Sequence, residues 1–155
     1  MVIFEDLNNE IMVSIDDSVI VALKMFSVDS YPNETGGFLV GKYDNNHHAH
    51  ISDLVQPTSV KSNPYSFERN TDGMKKIWDE LYEQGLIYLG EWHTHPSGSC
   101  NYSQTDLEAM RSIANCKDVK IRRPILLIAS VSKQKINGIH LYHLNNNQLI
   151  KCKSR

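Results

Sequence analysis

Three amphipathic helical segments, set among short apolar runs, restrict most strongly how this chain can fold. They are predicted over 16–27, with Asp16 or Asp17 as the cap, over 72–84, and over 103–115. In each segment apolar residues recur three and four positions apart, which places them on one helix face that must pack against another layer. The predicted inward-facing residues are Val19, Ala22, Leu23 and Phe26, then Met74, Ile77, Trp78, Leu81 and Tyr82, then Leu107, Met110 and Ile113 or Ala114.

The segments before, between and after these helices have the composition of strands. Strands are predicted over 11–15, 38–43, 47–55, 86–92, 125–132, 138–143 and 148–152. Residues 56–70 contain Pro57, Pro64 and several small polar side chains, and are predicted to form a surface loop with some extended structure. Because helices and strands are mixed without strict alternation, the pattern predicts a compact α/β domain with three layers or a half-barrel. No linker divides the chain, so residues 1–155 are predicted to form a single domain.

Composition excludes several classes of protein. The 155 residues carry a formal net charge of -2, so there is no basic excess for binding nucleic acid. The longest apolar run, 124–131, is far too short to span a bilayer, and the acidic start of the chain does not fit a signal peptide. The widely spaced Cys100, Cys116 and Cys152 form neither a disulfide framework nor a zinc ribbon. We therefore expect a cytoplasmic protein with neither nucleic acid nor a membrane as partner.

The segment from Glu91 to Asp106 carries the residues most suited to chemistry. His93 and His95 lie two positions apart at the end of a predicted strand, so both imidazoles face the same side. Asp106 follows in the first turn of the next predicted helix, where one loop can bring it to the same point. Two histidines and one carboxylate form a familiar ligand set for catalytic zinc with an open fourth position. Alternatively, the histidines mark an exposed strand end, and Ser103 with Asp106 forms a helix cap, which is compatible with metal binding.

The pattern His-Thr-His, seven residues, Ser, two residues, Asp resembles the signature of the JAMM (JAB1/MPN/Mov34) metallopeptidases. Glu34, in the string Glu-Thr-Gly-Gly, stands where that family has an upstream glutamate. The resemblance implies a JAMM/MPN-type domain: a mixed curved sheet flanked by about three helices, with cytidine-deaminase-like architecture. It also implies one zinc ion (Zn²⁺) per chain held by His93, His95 and Asp106. Glu34 would be the general base, and Ser103 would stabilise the oxyanion.

The residues exclude two other zinc chemistries. Nucleobase deaminases need His-x-Glu with a Cys pair, and the common zinc proteases need His-Glu-x-x-His; both patterns are absent. Peptide or isopeptide hydrolysis remains, and the resemblance implies it.

The resemblance further implies a substrate with an extended C-terminal tail: a conjugated ubiquitin-like protein, or a CD-NTase as in CBASS antiphage systems. Residues 57–67 are the candidate wall of the groove that binds this tail. Two alternatives stay open: a peptidase that processes the C-terminus of a sulfur-carrier protein, and a non-catalytic MPN-type scaffold.

A second histidine cluster is a further candidate for a metal site. His47, His48 and His50 alternate along a predicted hairpin strand, and we expect a solvated face there rather than a second metal site. Cys100 lies inside the predicted loop between the two halves of the motif, with no neighbouring base or helix start, so we expect an ordinary loop residue.

Overall fold

The computed structural model describes residues 1–8, 10–45, 47–116, 121 and 123–155. The helices are α1 (Asp17–Ser30), α2 (Lys75–Glu83) and α3 (Gln104–Ala114). The strands are β1 (Val2–Glu5), β2 (Met12–Ile15), β3 (Gly36–Asn45), β4 (His48–Val55), β5 (Ser59–Asn63), β6 (Ser66–Asn70), β7 (Ile87–Pro96), β8 (Ile125–Ser132), β9 (Lys135–Asn145) and β10 (Gln148–Ser154). None of the helices in these described ranges has the length and hydropathy needed to cross a bilayer.

Eight strands form one sheet that closes on itself in the order β1-β10-β9-β8-β7-β3-β4-β2. β2 pairs with β4 and β7 with β8 in parallel, whereas the other neighbours are antiparallel. The predicted mixed, curved sheet with three helices is thereby confirmed. The curvature continues to full closure because β1, which the sequence patterns did not reveal, pairs with both β2 and β10.

The two faces of this sheet pack against different helices. On the inner face, buried side chains from all eight strands surround Val19 and Leu23 of α1. On the outer face, Leu107 and Met110 of α3 pack against β8 and β9. Each Å² of apolar area buried on either face adds about 25 cal/mol to the free energy of unfolding. The result is the layered arrangement that the amphipathic helices require, with β8 buried on both sides.

Two helices bury their apolar stripes less completely than predicted. In α1 the buried residues are Val19, Leu23 and Ser27, whereas Phe26 is 38% exposed, because the inner face accepts a narrower stripe. In α2 only the preceding Met74 is buried, and Tyr82 is 73% exposed. Trp78 packs edge-on against Phe38 and Tyr88, and together with Met74 and Tyr82 it lines an open groove.

The surface segment predicted over 56–70, with some extended structure, is more regular than expected. β5 and β6 pair along five positions, from Ser59 opposite Asn70 to Asn63 opposite Ser66, and form a separate two-stranded sheet. The Asn63 side chain accepts the backbone N–H groups of Tyr65 and Ser66, which closes a tight turn around Pro64. The segment is therefore a hairpin, which we call the β5–β6 hairpin.

Candidate metal centre

His93 and His95 lie near the end of β7 and face the outer side of the sheet. They alternate with Trp92, whose indole belongs to the inner core, as the two-residue period of a strand requires. In the parallel pairing with β8, His93 lies opposite Ile128, which packs under α3. Both imidazoles are thus on the side of the sheet where α3 begins.

Asp106 reaches the same point from the first turn of α3. The Asp106 backbone N–H donates to Ser103 Oγ at 3.1 Å, and Ser103 N–H donates to Asp106 Oδ2 at 2.8 Å. This reciprocal capping box fixes the start of the helix and the direction of the carboxylate together. The cap interpretation of Ser103 and Asp106 is therefore correct, and the cap leaves Asp106 facing the two histidines.

The donor atoms have the spacing of a zinc site. Nε2 of His93 lies 3.2 Å from Nε2 of His95 and 3.2 Å from Asp106 Oδ1, and Nε2 of His95 lies 3.5 Å from Asp106 Oδ2. A tetrahedral zinc ion with ligands at about 2.0–2.1 Å separates neighbouring donor atoms by about 3.3 Å. The residues present thus fit zinc, with one position left for a water or substrate. Across the described part of the chain, no other set of three His, Cys, Asp or Glu donors is close enough to hold a metal.

The electrostatics of the centre suit a metal ligand set. Burial raises the pKa of Asp106, but hydrogen bonds from His93 and His95 outweigh it and hold the pKa well below its usual range. The hydrogen bond to Asp106 also raises the pKa of His95 against the opposing effect of burial. His95 Nδ1 donates to the Ser99 carbonyl at 2.8 Å, because a carbonyl only accepts. In the neutral ring, Nε2 therefore keeps its lone pair for a metal.

Glu34 lies beside this group, in the segment between α1 and β3. Burial raises the pKa of its carboxyl, the charges of His93 and His95 lower it, and that of Asp106 raises it. The charges of all three candidate ligands therefore act on the Glu34 carboxyl. The structure thus brings Glu34 together with the residues that the sequence assigned to the same site.

Close approach of β3 to β7 holds Glu34 in this place. Thr35 N–H donates to Thr94 Oγ1 at 3.0 Å, and Thr94 N–H donates to the Thr35 carbonyl at 2.9 Å. Gly36 lies directly opposite His93 in the sheet. A Cβ on Gly36 would overlap the Trp92 carbonyl and lie 2.9 Å from the His93 Cβ. This position requires glycine because the backbones meet here without room for a side chain.

The β5–β6 hairpin lies against the centre and covers most of residues 57–67, the predicted wall of the groove that binds the substrate tail. The Phe67 ring centroid is 6.1 Å from that of His93. The Glu34 N–H donates to the Asn63 carbonyl at 2.9 Å, which ties the hairpin to the candidate base. The Asn-Pro pair at 63–64, a turn signal between two short runs, could have revealed the hairpin, but nothing local indicates that Phe67 meets His93.

The second histidine cluster has its own partners. His48 Nδ1 lies 3.1 Å from an Asp44 carboxylate oxygen, and His50 Nε2 lies 2.7 Å from Asp16 Oδ1. His47 is exposed. Each of the two paired histidines faces its own carboxylate at the surface of β4, so they do not converge on one point.

A model of the family "Prok-JAB: Prokaryotic homologs of the JAB domain" matches residues 18–143. The chain belongs to this family. The matched range includes Glu34, His93, His95, Ser103 and Asp106, and so takes in the whole candidate centre.

Two relatives carry the name "CD-NTase/cGAS isopeptidase". One, from Enterobacter hormaechei subsp. hoffmannii (strain UCI 50), is 34% identical over 98 residues, which cover 62% of this chain and 54% of the relative. The other, from Escherichia coli (strain TW11681), is 28% identical over 115 residues, or 70% of this chain and 71% of the relative. The match to the first relative thus spans about half of its length.

A solved structure supports the fold. The crystal structure of AF2198, a JAB1/MPN domain protein from Archaeoglobus fulgidus, superposes with a TM-score of 0.53 at 16% identity. The match covers 89% of this chain and 93% of that protein. It confirms the predicted JAB/MPN-like fold.

Proposed function

We propose that this protein is a zinc-dependent isopeptidase that cleaves an amide bond after the C-terminus of a conjugated protein. The convergence of His93, His95 and Asp106 at zinc-ligand spacing carries the proposal. Membership of the Prok-JAB family and the names of the two relatives support the same reaction class. We assign one zinc ion per chain to these three ligands.

Each group at the centre has its own role in hydrolysis. Bound zinc would supply Lewis acidity, which polarises a carbonyl and lowers the pKa of a water. Glu34 takes a proton from the attacking water and gives it to the leaving nitrogen. Its raised pKa favours this shuttle because a general base works best near the operating pH.

Ser103 has a hydroxyl proton available for the reaction. Its oxygen already accepts the Asp106 N–H in the capping box, so its own O–H remains free to donate. A donor next to the ligands stabilises the negative charge that develops on the scissile carbonyl oxygen. We therefore assign Ser103 to oxyanion stabilisation as well as to the helix cap.

The substrate we propose is a CD-NTase conjugated through its C-terminal tail, by analogy with the relatives' names. The tail would lie extended beside the β5–β6 hairpin, with residues 57–67 as one wall. The contacts of Phe67 with His93 and of Asn63 with Glu34 support this placement, because they set the hairpin next to the metal ligands. A ubiquitin-like protein would present a tail of the same extended form.

An intact-mass cleavage assay tests this function. The substrates are a CD-NTase and a ubiquitin-like protein, each fused at its C-terminus to a reporter, with Glu34→Ala as control. We expect a cut at the C-terminal residue of the CD-NTase by the wild-type protein and none by the variant. A cut of the ubiquitin-like fusion alone would overturn the choice of substrate. No cut of either, with zinc bound and the fold intact, would point to a sulfur-carrier precursor or to a scaffold.

A further inference from the structure

Residues 97–102, which we call the linking loop, join the two halves of the metal centre. The loop follows β7, which carries His95, and precedes Ser103, the cap of α3. Its conformation therefore sets the distance and angle between the His95 imidazole and the Asp106 carboxylate. Backbone N–H groups of the loop contribute to its fold, since Ser97 N–H donates to the Val131 carbonyl at 2.7 Å.

Three consecutive carbonyl groups of the linking loop each accept a hydrogen bond from a side chain. The Gly98 carbonyl accepts from Ser130 Oγ, the Ser99 carbonyl from His95 Nδ1 at 2.8 Å, and the Cys100 carbonyl from the Tyr142 hydroxyl at 3.0 Å. The three donors come from β8, β7 and β9, which are neighbours in the sheet. The bond to the Ser99 carbonyl thus comes directly from the candidate ligand His95. The other two bonds fix the Gly98 and Cys100 carbonyls on either side of Ser99.

The two flanking donors are held firmly. Ser130 is 6% exposed and Tyr142 is 3% exposed. Tyr142 packs in the outer core with Leu107 and Met110 of α3, and its hydroxyl also lies 3.2 Å from His140 Nδ1. Tyr142 contacts both α3, which carries Asp106, and the linking loop, which contains Ser99. It therefore helps to hold Asp106 and Ser99 at a fixed distance from each other.

We propose that Ser130 and Tyr142 are positioning residues for the metal centre. By holding the carbonyls on both sides of Ser99, they orient the His95 ring and select the tautomer with Nδ1 protonated. This inference rests on the zinc assignment made under the proposed function. Groups that orient metal-binding histidines typically change metal affinity 10- to 100-fold when they are removed.

Zinc affinity tests the proposal without any substrate. Zinc is titrated against a chromophoric chelator for the wild type, Tyr142→Phe, Ser130→Ala and the double variant. We expect the zinc Kd to rise about tenfold for each single variant and further for the double variant. In NMR spectra of the zinc-loaded proteins, we expect the His95 Nδ1–H signal to exchange faster with water in the variants than in the wild type.

Tyr102→Phe is the matched control. It removes a hydroxyl from a half-exposed tyrosine in the same loop, whose ring lies edge-on to Tyr142 at 5.2 Å, and its zinc Kd should stay at the wild-type value. A purely structural role would lower the stability of metal-free and zinc-loaded protein equally and leave the Kd unchanged. Unchanged Kd values in Ser130→Ala, Tyr142→Phe and the double variant, with zinc bound to the wild type, would overturn the positioning role alone. Failure of the wild type to bind zinc would overturn the metal centre itself.

Discussion

Thr94 shows how single residues shape this centre without touching a metal. It lies between His93 and His95 in sequence, faces the opposite side of β7, and is fully buried. Its backbone and hydroxyl both bond to Thr35, the neighbour of Glu34. The alternation of a strand thus places two ligands on one face and the anchor of the candidate base on the other.

Replacing Glu34 separates catalysis from metal binding. We expect Glu34→Gln to bind zinc as the wild type does, because Glu34 is not among the three ligands. Turnover should fall by about 10²–10⁴-fold, the range typical for loss of a general base. Metal analysis and single-turnover cleavage measure the two quantities. Turnover within a few-fold of the wild type would remove Glu34 from the reaction.

Two substitutions at Ser103 distinguish its cap from its proposed chemistry. Ser103→Ala removes both functions, so we expect a loss of about 1 kcal/mol in unfolding free energy and about 100-fold in turnover. Ser103→Gly costs only a few tenths of a kcal/mol at a helix cap and has no side-chain donor, so most of the stability should remain while turnover falls. Urea unfolding and kcat measurements check these outcomes. Full activity in the Gly variant would leave Ser103 with the cap alone.

Among the elements, the β5–β6 hairpin depends on a few side chains for its position on the main sheet. Arg69 of β6 forms an ion pair with Glu91 of β7 and lies over the Phe38 ring at 4.6 Å. Glu91 also accepts the Tyr88 hydroxyl at 2.6 Å and is 7% exposed. Phe67 lies two positions before Arg69 on the same strand, so the ion pair anchors the strand that covers His93.

Removing Arg69 should therefore weaken the hairpin attachment. We expect Arg69→Met to destabilise the fold by about 3 kcal/mol, the low end of the range for breaking a buried pair, because Arg69 keeps some contact with water. The double variant with Glu91→Leu should recover part of this loss. Urea unfolding of Arg69→Met, Glu91→Leu and the double variant completes a double-mutant cycle for this pair.

The exposed pair Lys75–Asp79 serves as the control for that cycle. Its nitrogen and oxygen are 2.6 Å apart at the surface of α2, and Lys75→Met should cost less than about 1 kcal/mol. Equal losses from Arg69→Met and Lys75→Met would show that the Arg69–Glu91 pair does not anchor the hairpin.

At the scale of the whole molecule, a polar contact inside the closed sheet links β9 to the segment that follows β1. His143 of β9 is fully buried, and its Nε2 lies 3.3 Å from Asp6 Oδ2, just after β1. Asp6 Oδ1 accepts the Glu10 N–H at 2.6 Å. His143 Nδ1 is buried without a partner among the described residues. A proton on that nitrogen would be an unsatisfied donor, which disfavours the charged ring.

This arrangement predicts a loss of stability in acid. Burial lowers the pKa of His143, with Asp6 and Glu10 opposing and Arg123 reinforcing the effect. The unfolded chain therefore binds a proton more readily, and stability falls as the pH drops below about 6.5 towards the lower pKa of the folded state. The contribution reaches at most about 1.4 kcal/mol per pH unit.

Urea unfolding in the presence of a chelator, at pH 7.5 and pH 5.5, measures this effect. The unfolding free energy of His143→Gln should depend less steeply on pH than that of the wild type. His47→Gln, which changes an exposed histidine, should keep the wild-type slope. Identical slopes in all three proteins would assign the acid sensitivity to other groups.

Sequence reasoning succeeded where neighbours along the chain decide the structure. The capping box at 103–106 and the two-residue alternation at 93–95 are local, so the convergence of the His93, His95 and Asp106 side chains could be predicted, whereas their role as ligands stays a prediction. It failed where distant partners decide. The strand Val2–Glu5 forms because β10 and β2 lie beside it, and Tyr82 stays exposed because no described element covers that side of α2.

Closure of the main sheet also protects the molecule from association with itself. A sheet that closes leaves no free edge strand, so the eight strands of the main sheet offer no template for aggregation. Among the described strands, only β5 and β6 keep an unpaired side, and their residues are mostly polar or charged, including Lys61 opposite Glu68. Such side chains discourage two copies from joining at their edges. The hairpin edge beside the metal centre thus resists self-assembly while keeping backbone groups free for the substrate tail proposed above.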